Sequence, residues 1–295
     1  MEQDGIIHSE FKASKCSFEY SNKNKDKKIN IRIKYDGKMI HGIETPVPLL
    51  APYGLSHYTK DGADSWSVPV LEETKSKDDQ EAMKEFFNEL EELHHMLIDY
   101  AFQNASVFFP GKKITNKSVV EALFSPSVKA RDDGSRVLSL KISDMSEKDR
   151  GVLKQTLEER VSESNEDEEE RTAIQEVLKE KGVWNDESNE VEFPADQVIP
   201  NVLFFRPDGS EILVFSYDDL VEAFPEKKPT FGRFIFSLRP WLVAGKIGLK
   251  AGVYQMEVEE PSKGRPRYNA FTKRDGTSAP AQVGEEGDAV DSDQE

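Results

Sequence analysis

Phe231-Gly232-Arg233-Phe234-Ile235-Phe236-Ser237-Leu238-Arg239-Pro240-Trp241 runs into Gly245-Lys246-Ile247-Gly248-Leu249-Lys250-Ala251-Gly252-Val253-Tyr254-Gln255-Met256. Large apolar residues recur at alternate positions, which is the period of a half-buried strand. Two strands are expected, over 231–237 and 247–259, around Arg239-Pro240-Trp241. Gly245, Gly248 and Gly252 let the second one bend.

Upstream, Pro207-Asp208-Gly209-Ser210 is a strong turn signal between the apolar runs 198–206 and 211–217, predicting a hairpin. Ile29-Asn30-Ile31-Arg32-Ile33-Lys34-Tyr35 alternates and meets the turn Asp36-Gly37 before Lys38-Met39-Ile40, predicting another. Residues 41–75 are irregular and rich in Pro, Gly and aromatics, so they read as a long loop or short strands. Met83, Phe86, Phe87, Leu90, Leu93, Leu97 and Tyr100 recur at three and four, which makes 79–103 an amphipathic helix. A short helix over 118–123, a strand over 137–142 and one or two helices over 146–181, stopped by Gly182, complete the pattern. No repeat of 20–50 residues is visible. Five or more strands without a strand–helix rhythm imply an α+β fold: an antiparallel OB-like β-barrel with helical insertions near 79–103 and 146–181. Residues 1–276 read as one such domain and 277–295 as a disordered acidic tail.

At 295 residues and 37% apolar, the chain can build a sizeable core. Its one cysteine, Cys16, excludes an internal disulfide and a multi-cysteine zinc site. No run of eighteen apolar residues exists, so neither a signal peptide nor a membrane span is expected. The expected setting is soluble and intracellular.

The formal charge of -17 is segregated rather than spread. Residues 227–274 hold eleven Lys and Arg against Glu257, Glu259 and Glu260. Residues 10–41 and 112–141 are also net positive, whereas 72–92 and 144–192 carry the acids. Aromatics interleave the basic stretch. Cations that follow phosphates, mixed with rings on which bases stack, are the combination a single-stranded nucleic-acid groove needs. The candidates are Arg32, Lys34, Lys112, Lys113, Lys129, Arg131, Lys141, Arg233, Arg239, Lys246, Lys250, Lys263, Arg265 and Arg267, with Trp241 and Tyr268 as stacking rings. Tyr58 and Trp66 are further stacking candidates. Against this, Phe-Ile-Phe in a strand is ordinary packing, and Glu166–Glu170 reads as a solvated face or link.

Catalytic patterns are missing. The five histidines include no pair at i, i+4, Gly111-Lys112-Lys113 lacks the rest of a phosphate-cradling loop, and no strand carries the spaced carboxylates of a two-metal site. No enzyme activity, metal or cofactor is expected.

The 231–256 segment resembles the end of the OB-fold single-stranded DNA-binding proteins of nucleocytoplasmic large DNA viruses. Val119-Val120-Glu121-Ala122-Leu123-Phe124-Ser125-Pro126-Ser127-Val128-Lys129 is similar to that group too, as is the order of strands, helix, basic loop, acidic insertion and final strands. The resemblance spans most of 29–259 and implies a non-catalytic barrel that coats single-stranded DNA in viral replication, recombination or repair. It would carry that role onto Lys129, Arg233, Arg239, Trp241, Lys246 and Lys250. The acidic insertion at 163–170 has no match. If the chain is viral, the host nucleus or a cytoplasmic replication site would be its location.

The function expected from these features is sequence-tolerant binding of single-stranded DNA, with RNA left open, and docking of replication proteins on the acidic tail. The alternative is a histone-chaperone-like or assembly adaptor whose acids capture basic partners. Residues 284–295 hold six acids and no base after a Thr-Ser-Ala-Pro-Ala-Gln linker. As a coil of about twenty residues the tail reaches on the order of 25 Å, enough to compete with phosphates for a basic face. Deleting 284–295 should therefore tighten binding to a labelled oligonucleotide most at 0.01 M salt. The gain should shrink as the Debye length falls from about 30 Å to about 10 Å at 0.1 M. No gain at low salt would leave the tail as a solubilising or docking segment.

Overall fold

Alternation and turn chemistry set the strands of this chain. The computed structural model describes residues 6–7, 10–21, 29–60, 62–162 and 168–259, all within one compact unit, Met1–Lys263. The expected tail, residues 277–295, lies outside the described residues.

Along the chain, β1 (Ile6–Ile7) precedes a small sheet of β2 (Cys16–Ser21), β3 (Asn30–Tyr35) and β4 (Lys38–Met39), then the short β5 (Gly42–Glu44) and β6 (Leu49–Ala51). The hairpin of β7 (Ser56–Lys60) and β8 (Ala63–Leu71) leads into the helix α1 (Gln80–Gln103). The short α2 (Ala105–Phe108) and α3 (Lys117–Glu121), β9 (Phe124–Ser125), β10 (Val128–Ala130) and β11 (Arg136–Ile142) follow. The acidic stretch then folds as α4 (Glu147–Val161), α5 (Glu168–Glu180), β12 (Trp184–Asn185) and β13 (Glu190–Val191). Last come β14 (Leu203–Phe205), β15 (Glu211–Ile212), α6 (Tyr217–Ala223), β16 (Thr230–Val243) and β17 (Lys246–Val258).

The class is α+β, as expected, with a twelve-stranded sheet whose main path is β1-β5-β16-β17-β11-β8-β7. Two features differ from the expected antiparallel barrel. First, the sheet is mixed: β17 lies antiparallel to β16 but parallel to β11, β14 and β9. Parallel neighbours need long crossovers, and the stretch between β11 and β16 supplies one. Second, among the described residues the ladders do not close. β6 pairs with β16, and the amide of Leu50 in β6 donates to the carbonyl of Glu73 just past β8, at 2.9 Å. One hydrogen bond thus bridges the remaining seam.

α1 covers the inner face of this sheet because its spacing gathers Met83, Phe86, Phe87, Leu90, Leu93, Leu97 and Ala101 on one buried stripe. Phe86 meets Phe236 of β16 edge to face, at 6.2 Å between ring centroids. Arg136 of β11 clamps the helix: its guanidinium pairs with Glu72 and Glu91, donates to Asn88 and lies over the Phe87 ring.

Local chemistry corrects several expected boundaries. The run 211–217 is strand only at Glu211–Ile212, because the Ser216 hydroxyl accepts from the amide of Asp219 and starts α6 instead. β16 runs on through Pro240 to Val243. Its pairings with β5 and β6 end by Phe236, so beyond that point β17 is its one partner among the described residues and a missing N–H is tolerated at the sheet edge. The turn is Ala244-Gly245, both at positive φ. Residues 41–75 form the short strands β5 to β8, and 146–181 forms two helices. Ser146 caps α4 by accepting from the amide of Asp149. The acidic insertion has its own core of Leu157, Ile174, Leu178, Val183, Val191 and Phe215.

His94 is buried inside α1, not on a surface, with Nε2 2.9 Å from the Ser127 hydroxyl. Burial, with His95 beside it, pushes its pKa down to about 4. A histidine held neutral in the fold but free to protonate when unfolded contributes stability above pH 6.5 that is lost as pH falls toward 4. The loss from this group between pH 7.5 and pH 4 should be about 3 kcal/mol. Urea unfolding of the wild type and of His94→Gln across that range checks it: the variant should lose about that much less, and parallel pH profiles would contradict the assignment.

Candidate nucleic-acid interface

The alternation that buries Phe234, Phe236 and Leu238 on the inner side of β16 turns Arg233, Ser237, Arg239 and Trp241 to its outer side. On β17, Ile247, Leu249, Ala251 and Val253 point inward, and Lys246, Gly248, Lys250 and Gly252 outward. The register sets Arg239 directly opposite Lys250 and Trp241 opposite Gly248. Like charges directly opposed across a sheet oppose folding. An anion bound between them would remove that repulsion.

Gly248 is required where it stands. A Cβ there would lie 2.6 and 2.7 Å from two atoms of the Trp241 indole and 2.5 Å from the Ser125 carbonyl. The indole therefore rests on the backbone of β17, half-buried, at the wall of the cleft.

The parallel neighbour β11 brings Lys141 beside Gly252, with Ser67 of β8 on its other flank. β10 adds Lys129 on the same outer side, opposite Val137. Lys129 and Lys250 are exposed, while Lys141 is half-buried. Burial first, then the charges of Lys250 and Lys129, hold the Lys141 amine below the usual lysine range. These groups line a cleft of about 310 Å³ together with Ser65, Ser125, Ser127, Ser139 and Trp241. A smaller cleft of about 80 Å³ adjoins it through Lys250, lined by Arg239, Ser143, Ser237 and Asn201. Among the described residues neither cleft is lined by a carboxylate, in a chain with 56 of them. On β7, Tyr58 faces the same side as Ser65, its cross-strand partner, and is 63% exposed.

The other sequence candidates are dispersed. Lys34 sits in the small sheet and is neutralised by Glu19 at 2.5 Å, and Arg32, exposed, stands opposite Glu19 in the same sheet. Lys112 donates to the Gly245 carbonyl at 3.0 Å and so steadies the tip of the β16–β17 hairpin, next to exposed Lys246. Lys113 is exposed between α2 and α3. Arg131 occupies the β10–β11 turn and acts on Asp133. Arg233 faces Glu257 across the hairpin, roughly 20 Å along the strand from Arg239. Lys263, Arg265, Arg267 and Tyr268 lie outside the described residues. Trp66 differs from its expected role: its ring is stacked between His57 at 4.0 Å and Tyr217 at 4.7 Å, leaving neither face for a base. The structure thus gathers Lys129, Lys141, Arg239, Trp241 and Lys250.

The cleft serines were not among the sequence candidates. Their signal is modest: Ser65-Trp66-Ser67 alternates like a strand with a hydroxyl face, and Ser125-Pro126-Ser127 flanks the Lys129 strand.

No protein-family model and no curated protein sequence matches the chain. Among solved structures it is similar to the crystal structure of gp2.5, a single-stranded DNA-binding protein encoded by bacteriophage T7, with a TM-score of 0.38 and 10% identity over 80% of this chain and 98% of that chain. The single-stranded DNA-binding protein from bacteriophage Enc34 overlays with a TM-score of 0.35 and 11% identity over 87% of this chain and 96% of that one. Its complex with single-stranded DNA gives 0.33 and 9%, over 88% and 95%. At these scores the functional reading rests on the cleft itself.

If the Trp241 indole stacks on a base, Trp241→Ala should weaken binding of a single-stranded oligonucleotide by about 1–3 kcal/mol. Thermal unfolding run alongside separates stacking from packing. A variant that is folded and binds normally would return Trp241 to the role of covering Gly248.

Proposed function

We propose that the chain binds single-stranded nucleic acid, DNA before RNA, without reading its sequence. The observation that carries this reading is the acid-free cleft in which Lys129, Lys141, Arg239 and Lys250 converge on one outer sheet face. The cations follow the phosphates, the hydroxyls of Ser65, Ser125 and Ser139 donate to phosphate oxygens, and Trp241 and Tyr58 offer rings to bases. A ring accepts any base, so the binding is sequence-tolerant.

The strand circuit supports an OB-type assignment. Taken in chain order, β6, β8, β11, β16 and β17 are arranged β6-β8-β11-β17-β16, with β6 returning to β16 and β11 parallel to β17. A partly open five-stranded barrel of that kind binds oligonucleotides across its second and third strands. Here those are β8 and β11, which carry Ser65, Ser67, Ser139 and Lys141. The biological role that fits is coating of single-stranded DNA in replication, recombination or repair, in a viral or other intracellular setting, with replication proteins docking on the acidic tail.

Each neutralised phosphate contributes about -0.7 to the slope of log affinity against log salt, so the four cations should give about -3. Fluorescence anisotropy with a labelled oligonucleotide should therefore show affinity falling about 50-fold between 50 and 200 mM salt. Salt-independent binding, or preferential binding of core histones, would overturn the reading.

A further inference from the structure

Lys141 differs from the other cations of the cleft. It is half-buried between Ser67 of β8 and Gly252 of β17 and faces Lys129 and Lys250. Among the described residues it has no acidic partner. Lys12, Lys154 and Lys181, also partly buried, each face a carboxylate that stabilises the charged form. Gly252 brings no side chain, and even a Cβ there would meet only ordinary contacts at 3.5 and 3.9 Å, so the space above Lys141 is open on that flank. A lysine that is desolvated and set beside other cations gives up its proton more readily, and the unprotonated amine is the nucleophile.

We propose that Lys141 is a nucleophilic amine that condenses reversibly with the aldehyde of a phosphate-bearing ligand. On the reading of the cleft given above, on which this step rests, that ligand is the ring-opened sugar of an abasic nucleotide in the bound strand. The lone pair of Nζ attacks the carbonyl carbon, a C–N bond forms and the π pair moves to oxygen. One proton passes from nitrogen to that oxygen, giving a carbinolamine. The nitrogen lone pair then expels the oxygen as water, which leaves with both amine hydrogens, and an imine remains. No oxidant or reductant is consumed. Lys129, Lys250 and Arg239 hold the flanking phosphates and bring the carbonyl within reach of Nζ.

The 295-residue chain is incubated at pH 7 with a single-stranded oligonucleotide carrying one abasic site, and the imine is reduced with sodium cyanoborohydride. A parallel arm uses glyceraldehyde 3-phosphate, and binding of an intact oligonucleotide is measured separately. Peptide mapping should place the oligonucleotide adduct on Lys141. At oligonucleotide concentrations that saturate each variant, Lys141→Arg should lower the trapping rate at least tenfold. Lys250→Gln should slow trapping at pH 7 and recover it at pH 9, because removing the neighbouring charge returns Lys141 toward the usual lysine range. Adducts spread evenly over the lysines, or undiminished trapping by Lys141→Arg, would overturn the proposal. Binding of the intact strand without trapping would overturn the nucleophile alone. Trapping of glyceraldehyde 3-phosphate on Lys141 without binding of either strand would overturn the nucleic-acid ligand and leave a small phosphorylated aldehyde as the source.

Discussion

The candidate interface depends on a parallel junction only two residue pairs long, Leu140 beside Ala251 and Lys141 beside Gly252. Side chains alternate across a sheet, so once Leu140 and Ala251 are buried the next residues must emerge on the opposite face. That requirement sets Lys141 next to Lys250, and the antiparallel register with β16 then brings Arg239 opposite Lys250. A slip of one residue would bury the cations and expose the core. Beyond the bulge near Tyr254, β17 exchanges β11 for β14, so the junction also marks where the cationic face ends.

Charge segregation follows from the same architecture. A parallel pair cannot be joined by a tight turn, and the crossover between β11 and β16 is where the acidic insertion sits. Its acids are partly neutralised at home: Lys154 pairs with Glu190, Lys179 with Asp186, Arg160 with Glu211 and Lys181 with Asp219. The cations of the cleft have no such partners among the described residues. A strongly acidic protein can therefore present a local positive field, which is what an approaching polyanion responds to.

Much of this was legible in the residues. The α1 stripe, the β3–β4 turn at Asp36-Gly37 and the final hairpin are local signals, and their periods name them. So was the concentration of cations in 112–141 and 227–250. Pairing between distant strands was not legible, because no local pattern says that β11 lies parallel to β17. That pairing decides which cations meet: Lys129, Lys141 and Lys250 converge, while Arg32 and Lys34 fall on a separate sheet. The extension of β16 through Pro240 was hidden because a proline reads as a strand end unless the strand is known to lie at an edge. Trp66 looked available for the same reason, since its two stacking partners come from β7 and α6.

In the proposed mode of binding a single strand lies across β8, β11, β17 and β16 on the outer face. Photo-crosslinking with an oligonucleotide carrying 4-thiothymidine, followed by peptide mapping, tests it most directly. Adducts are expected in the peptides around Tyr58, 125–129, 137–143 and 239–250, and none in β2–β4 or the acidic insertion. Adducts confined to the small sheet or to the insertion, with the 239–250 hairpin unlabelled, would contradict it.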